Sequence, residues 1–306
     1  MTSFDPARLR SVQLVPVTAM NKAGGLDLEQ QSELFRRSYD AGIRVIIPAA
    51  GSAEFHTLSE DEIVSLIDCA RTSMGDDAAV VVPLGSSVDF CLRLGRRAID
   101  AGADATLVMP LNFPYISNAG ARDYYQALLD GLDCPTMLYK KAAIPSDPLL
   151  LDLADHPNLV GVKYAVNDMN AFNQVVEADQ GKLDWFCGSA ERFAPFYMLA
   201  GATGYTSGAG NLCPRLTLSL HSAMVRGEWE EAIRLQRLIN PIEHYRGRDD
   251  NSYNISFLKY AIRHIGLEFG TPRPPQRQLT EAEKQEIDEM IVPILAAERE
   301  LAMVAV

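Results

Sequence analysis

The chain is 306 residues long, with 28 Lys+Arg against 40 Asp+Glu and a net charge of −12. That length allows one large α/β barrel or two smaller domains, and the acidic balance argues against nucleic acid or an anionic membrane surface as partner. No run of about 18 apolar residues exists to span a bilayer. The start, MTSFDPARLR, lacks the apolar segment of a signal peptide, so a cytoplasmic location is expected.

Apolar, strand-like runs alternate with segments of helical period. The pattern predicts strands over Val12–Ala19, Val45–Ala50, Ala79–Leu84, Ala105–Pro110, Thr136–Lys140, Leu159–Ala165, Leu183–Gly188 and Gly204–Gly208, each followed by a helix. A helix-ending Ala-Gly recurs before a strand at Ala41-Gly42, Ala101-Gly102 and Ala200-Gly201, as repeated α-to-β turns with a glycine C-cap would require. Eight βα units in this length fit a (β/α)8 TIM barrel, typically about 250 residues, better than an open sheet. No GxGxxG or GxxxxGK[ST] supports a nucleotide site.

Beyond Arg226 the pattern is helical only, over Trp229–Leu238, Ser252–Ile265 and Glu281–Leu301, with a Pro-rich break at Pro272, Pro274 and Pro275. The expected division is a barrel over 1–228 and a C-terminal helical extension over 229–306. The five cysteines are widely spaced, without a CxxC pair, and read as reduced thiols. The five histidines are scattered and show no metal-ligand spacing, so no metal is expected.

Reactive groups of a barrel gather at the C-terminal strand ends. Among those ends one strong nucleophile stands out. In Leu159-Val160-Gly161-Val162-Lys163-Tyr164-Ala165 the residues on both faces are apolar or small except Lys163. Desolvation disfavours an ammonium, so such a lysine can be a neutral amine near pH 7 and attack a carbonyl to form a Schiff base. A salt bridge or a side chain snorkelling to water is the alternative reading. Tyr139 closes the fifth strand, and neighbouring strands lie about 4.8 Å apart, so its phenol is a candidate proton relay. Gly51 and Ser52, in the small-residue loop after strand two, suit a carboxylate. Asn112, Thr206 and Ser207 at the fourth and eighth strand ends complete the candidate substrate-binding set. The Gly208–Asn211 turn is a weaker candidate anion nest.

Together these residues resemble the dihydrodipicolinate synthase and N-acetylneuraminate lyase family, class I Schiff-base enzymes on a (β/α)8 barrel with a helical extension. The most specific element is NLVGVKYA, Asn158 to Ala165. The resemblance implies that Lys163 forms the imine, Tyr139 relays protons, the Gly51-Ser52 loop holds the carboxylate of a small-molecule 2-oxo acid, and Thr206 contacts it through the backbone. It also implies a homo-oligomer, tetramer or dimer, and no cofactor, because the lysine itself supplies the electron sink.

Members that make dihydrodipicolinate carry a Thr where Gly51 stands, a second Tyr after strand four, where Pro110-Leu-Asn112-Phe-Pro114 is found, and an Arg beyond the strand-five Tyr, where Lys140-Lys141-Ala-Ala-Ile-Pro145 has none. Gly51 and Phe55 look closer to the 5-dehydro-4-deoxyglucarate dehydratase branch, and Lys140 and Lys141 could attract a distal carboxylate or be solvated surface charges. The expected activity is dehydration of a 2-keto-3-deoxy sugar acid, with pyruvate-releasing aldol cleavage or dihydrodipicolinate synthesis as alternatives. A pyridoxal phosphate enzyme using Lys163, and a non-catalytic relative that binds a 2-oxo acid, are the readings from other classes.

Overall fold

The alternating β-branched and amphipathic segments close into a (β/α)8 barrel; the computed structural model describes residues 4–304. The parallel strands run in chain order: β1 Val12–Leu14, β2 Val45–Ile46, β3 Ala79–Leu84, β4 Ala105–Val108, β5 Thr136–Lys140, β6 Leu159–Tyr164, β7 Asp184–Cys187 and β8 Gly204–Ser207. β1 pairs with β8, Gln13 beside Thr206, and shuts the ring. The helices α1 Leu28–Asp40, α2 Glu60–Ser73, α3 Val88–Asp100, α4 Asn118–Gly131, α5 Asp147–Leu153, α6 Met169–Asp179, α7 Ala190–Leu199 and α8 Pro214–Val225 follow the strands one by one. Both faces of the sheet are therefore covered, which is why β3 reads Ala-Val-Val-Val-Pro-Leu and is buried at every residue.

The recurring Ala-Gly has a shared geometry. Gly42, Gly102 and Gly201 have φ of 109°, 102° and 103°. At each, the glycine N–H bonds three residues back and the next N–H five residues back, as Ile43 N to Ser38 O, Ala103 N to Ala98 O and Ala202 N to Tyr197 O. These are Schellman closures, and a side chain at that φ would be strained.

β1 and β2 are shorter than the sequence predicts. Pro16 and Pro48 each remove a ladder donor just past the strand. Val17 N then donates to the Asn211 side chain at 2.9 Å, and Ala49 turns away at φ 58°.

After α8 come α9 Trp229–Arg246, a single turn α10 Arg248–Asn251 whose Asp249, Asp250 and Asn251 have left-handed φ of 44°, 53° and 68°, α11 Asn254–Ala261, a 3-10 turn over Ile262–Ile265 and α12 Glu281–Val304, with no further strand among the described residues. α9 runs past Leu238, where the sequence pattern ends. Pro241 removes one helical N–H, but Ile239, Ile242 and Tyr245 keep a buried stripe going. The extension is stitched to the barrel. Gln236 Nε2 donates to Glu191 O and Arg192 O of α7, and the Glu298 carboxylate accepts from Arg215 N and Leu216 N at the start of α8. Among the described residues no helix is long and apolar enough to cross a membrane.

Candidate active site

β6 presents Lys163 to the barrel interior. Its register partners are Tyr139 on β5 and Phe186 on β7, so the three side chains point to the same face of the sheet. The opposite face of β6 turns outward: Tyr164 packs edge-on against Phe172 and donates to Asp147 at 3.2 Å. A glycine makes room for the lysine stem. A Cβ at Gly188 would come within 3.1 Å of Lys163 Cγ and 2.9 Å of Ala165 Cβ.

Lys163 is 6% exposed and makes no salt bridge or side-chain hydrogen bond among the described residues. Burial disfavours its ammonium, and the positive charges of Lys141 and Arg246 add to that, so its pKa is pushed down from 10.5 to about 7. The salt-bridged reading of this lysine is therefore set aside. Its Nζ lies 4.1 Å from the centroid of the Tyr139 ring, so the amine faces the ring and not the hydroxyl. Burial pushes the Tyr139 phenol up to about 12, and it stays protonated wherever Lys163 is neutral below that.

The loop after β2 is a 3-10 turn over Gly51–Ala53 followed by Glu54 in the left-handed region at φ 68°. A non-glycine residue there must be held in place. Glu54 is held from the extension: Lys259 Nζ of α11 donates to its Oε1 at 2.6 Å, Arg273 N donates to its Oε2 at 2.7 Å, and both side chains are buried. Gly51 is exposed and Ser52 is half-buried.

At the end of β8, Thr206 is buried and its hydroxyl donates to Cys187 O at 3.3 Å. Ser207 donates to Glu191 of α7 and accepts from Gly210 N at 2.8 Å. The Gly208–Asn211 turn is not an open anion nest. Gly210 N is engaged by Ser207, Asn211 N by Gly208 O, and Asn211 Nδ2 donates to Val15 O. The phosphate cup that a pyridoxal phosphate enzyme would need is thus occupied by the protein's own groups.

Asn112 is exposed on the loop after β4 and makes no side-chain hydrogen bond among the described residues. Lys140 is neither solvated nor aimed at a ligand: it is 4% exposed, donates to Ala142 O and Pro145 O, and lies 3.4 Å from Asp147. Lys141 is exposed, and its charge acts on Lys163.

Sequence reading missed one cluster entirely. Arg246, at the end of α9, pairs with Glu243, donates to Asn254 Oδ1 at 2.8 Å and reaches Ser52 Oγ at 3.5 Å. Glu191, buried beside Glu243, has its carboxyl pushed well up by burial and by that neighbouring charge. In the structure Gly208 makes room for it: a Cβ there would lie 2.0 Å from Arg246 Nη1.

Residues 8–293 match the model of the dihydrodipicolinate synthetase family. The chain belongs to that family. A probable 5-dehydro-4-deoxyglucarate dehydratase of Streptomyces avermitilis is 28% identical over 287 residues, covering 90% of each chain. A 4-hydroxy-tetrahydrodipicolinate synthase of Corynebacterium jeikeium is 27% identical over 286 residues, covering 92% of this chain and 93% of that one. Among solved structures, dihydrodipicolinate synthase of Oceanobacillus iheyensis superposes with a TM-score of 0.90 at 31% identity, covering 94% of this chain and 97% of the other. Family members are Schiff-base lyases, and the family spans dehydratases as well as synthases. The barrel with a C-terminal helical extension, read from alternation alone, is the family's architecture.

Proposed function

We propose that Lys163 forms a Schiff base with the ketone of a 2-oxo acid and that the chain dehydrates a 2-keto-3-deoxy sugar acid. The observation that carries this is a buried lysine with no anionic partner among the described residues and an amine driven toward neutrality near pH 7. The neutral amine adds to C2, and water leaves to give a cationic imine. That imine is an electron sink, so a C3 proton can be removed to give the enamine. The enamine then expels the C4 hydroxyl as water, and hydrolysis returns the amine and the ketone. Tyr139, protonated through the working range, moves protons to and from the leaving oxygens. Gly51 and Ser52 hold the C1 carboxylate, and the backbone of Thr206 lies against the bound acid.

The dehydratase reading is preferred to dihydrodipicolinate synthesis because Gly51 lacks the relay hydroxyl, Asn112 stands where a second Tyr would, and Lys140 is locked to Ala142, Pro145 and Asp147 with no Arg beside it. Aldol cleavage through the same imine is the second reading, and it would release pyruvate in place of water.

Incubation with pyruvate, reduction by borohydride and peptide mapping test the imine. An adduct on Lys163 is expected, and a protein that gives none on that peptide is not an imine-forming lyase. A panel of keto-deoxy sugar acids, read for water loss against pyruvate release, then separates the two reactions.

A further inference from the structure

We propose that Arg246, delivered to the barrel mouth by the C-terminal helices, is a substrate-binding residue that takes the ketone-side carboxylate together with Ser52. The inference rests on the imine reading of Lys163 and adds to it the group that anchors the acid. Three observations carry it.

The first is position. The guanidinium Nη2 lies 3.5 Å from Ser52 Oγ, on the loop that follows β2. It lies flat over Gly208 at the end of β8, where a Cβ would meet Nη1, Cζ and Nη2 at 2.0, 2.3 and 2.3 Å. The backbone of β8 has therefore given up a side chain at the one place where this cation enters.

The second is unfilled donor capacity. Arg246 is 4% exposed, yet its Nε has no partner among the described residues and its contact with Ser52 is long. A guanidinium carries five N–H donors, and Glu243 and Asn254 take only part of them. Leaving such donors unpaired in a buried place is costly, and a planar carboxylate fits them in a fork.

The third is the loop itself. Gly51-Ser52-Ala53 contributes a single hydroxyl and no charge, so a carboxylate resting there would lack a counter-ion without Arg246. The same charge is felt at Lys163, where it favours the free amine.

A purely structural role, tying α9 to the loop through Glu243 and Asn254, makes a different prediction. The discriminating probes are pyruvate and methyl pyruvate, which share the ketone and differ in the carboxylate charge. Borohydride trapping on Lys163 is followed against concentration of each. In Arg246→Gln, the half-saturating pyruvate concentration should rise about 10- to 100-fold while that for methyl pyruvate stays put, and Arg246→Lys should fall between.

Gly208→Ala is the second variant: its Cβ displaces the guanidinium, including the Nη1 that meets Glu243, without removing either charge from the chain. The same pyruvate-selective loss is expected. Equal losses for both ketones, or none in either variant, overturn the role. No Lys163 adduct in the unaltered protein overturns the imine reading and this one with it, whereas an adduct with unchanged pyruvate dependence in Arg246→Gln overturns this one alone.

Discussion

The barrel mouth and the seam beneath its C-terminal extension each bury a lysine, and they treat it in opposite ways. Lys163 and Lys259 are 6% and 3% exposed, so burial does not distinguish them. Burial lowers the pKa of both. At Lys259 the carboxylate of Glu54, 2.6 Å away, and Thr271 O, 3.2 Å away, give the charge back its partners. Lys163 instead meets an aromatic face and a glycine, and the charges of Lys141 and Arg246 disfavour its ammonium further. The difference teaches that a buried lysine becomes a nucleophile through the partner it lacks, while the same residue with a partner becomes a fastener.

The sharpest way to break this comparison is to remove each amine. Lys163→Ala should lower turnover on the order of 10⁴-fold or more, because the electron sink is gone. A variant that keeps a tenth of the activity ends the imine mechanism. Tyr139→Phe should act next, lowering kcat by about 10²- to 10⁴-fold, while borohydride still traps pyruvate on Lys163. Loss of trapping in that variant would place the phenol in imine formation and not in the later proton transfers.

The seam should respond in stability instead. Lys259→Ala leaves the buried Glu54 without its ion pair, with only the Arg273 N–H bond to its Oε2 remaining, and breaking such a pair costs about 3–5 kcal/mol, read as a lower denaturation midpoint. Glu54→Leu combined with Lys259→Met removes both charges but also the hold on the left-handed turn and the acceptor of Arg273 N, so it should recover only part of that loss. Because Glu54 fixes the turn that carries Gly51 and Ser52, any surviving Lys259→Ala enzyme should show a raised KM ahead of a lowered kcat.

The barrel was legible because its signals are local. Strand runs apolar on both faces, Ala-Gly closures and a lysine inside NLVGVKYA are each contained in a few neighbouring residues. What escaped depends on contacts between distant positions. Arg246 meets Ser52 across 194 positions, and Lys259 meets Glu54 across 205. No period or spacing links such pairs. Side-chain direction was equally hidden. The register put Tyr139 beside Lys163, but the rotamers that turn the ring to the amine, and that fold Lys140 onto Ala142 and Pro145, are set by packing.

The smallest effect is the pH dependence of stability that the lowered pKa of Lys163 brings. Lys163 has a folded pKa of about 7 against an ordinary 10.5, so between those values the folded state binds fewer protons than the unfolded one. Stability contributed by this group therefore rises with pH through that window. Below pH 7 the protonated amine destabilises the fold by up to about 5 kcal/mol, and by pH 9 only about 2 kcal/mol of that remains. Lys163→Met removes the titrating group at similar length. Its gain over the unaltered protein should thus be larger at pH 6 than at pH 9 by about 2–3 kcal/mol, measured by chemical denaturation at the two values. A gain independent of pH would mean that Lys163 is an ordinary cation in the fold. Lys259→Met, which strands Glu54, should be destabilising at both values, and that reversal of sign is the comparison in its most direct form.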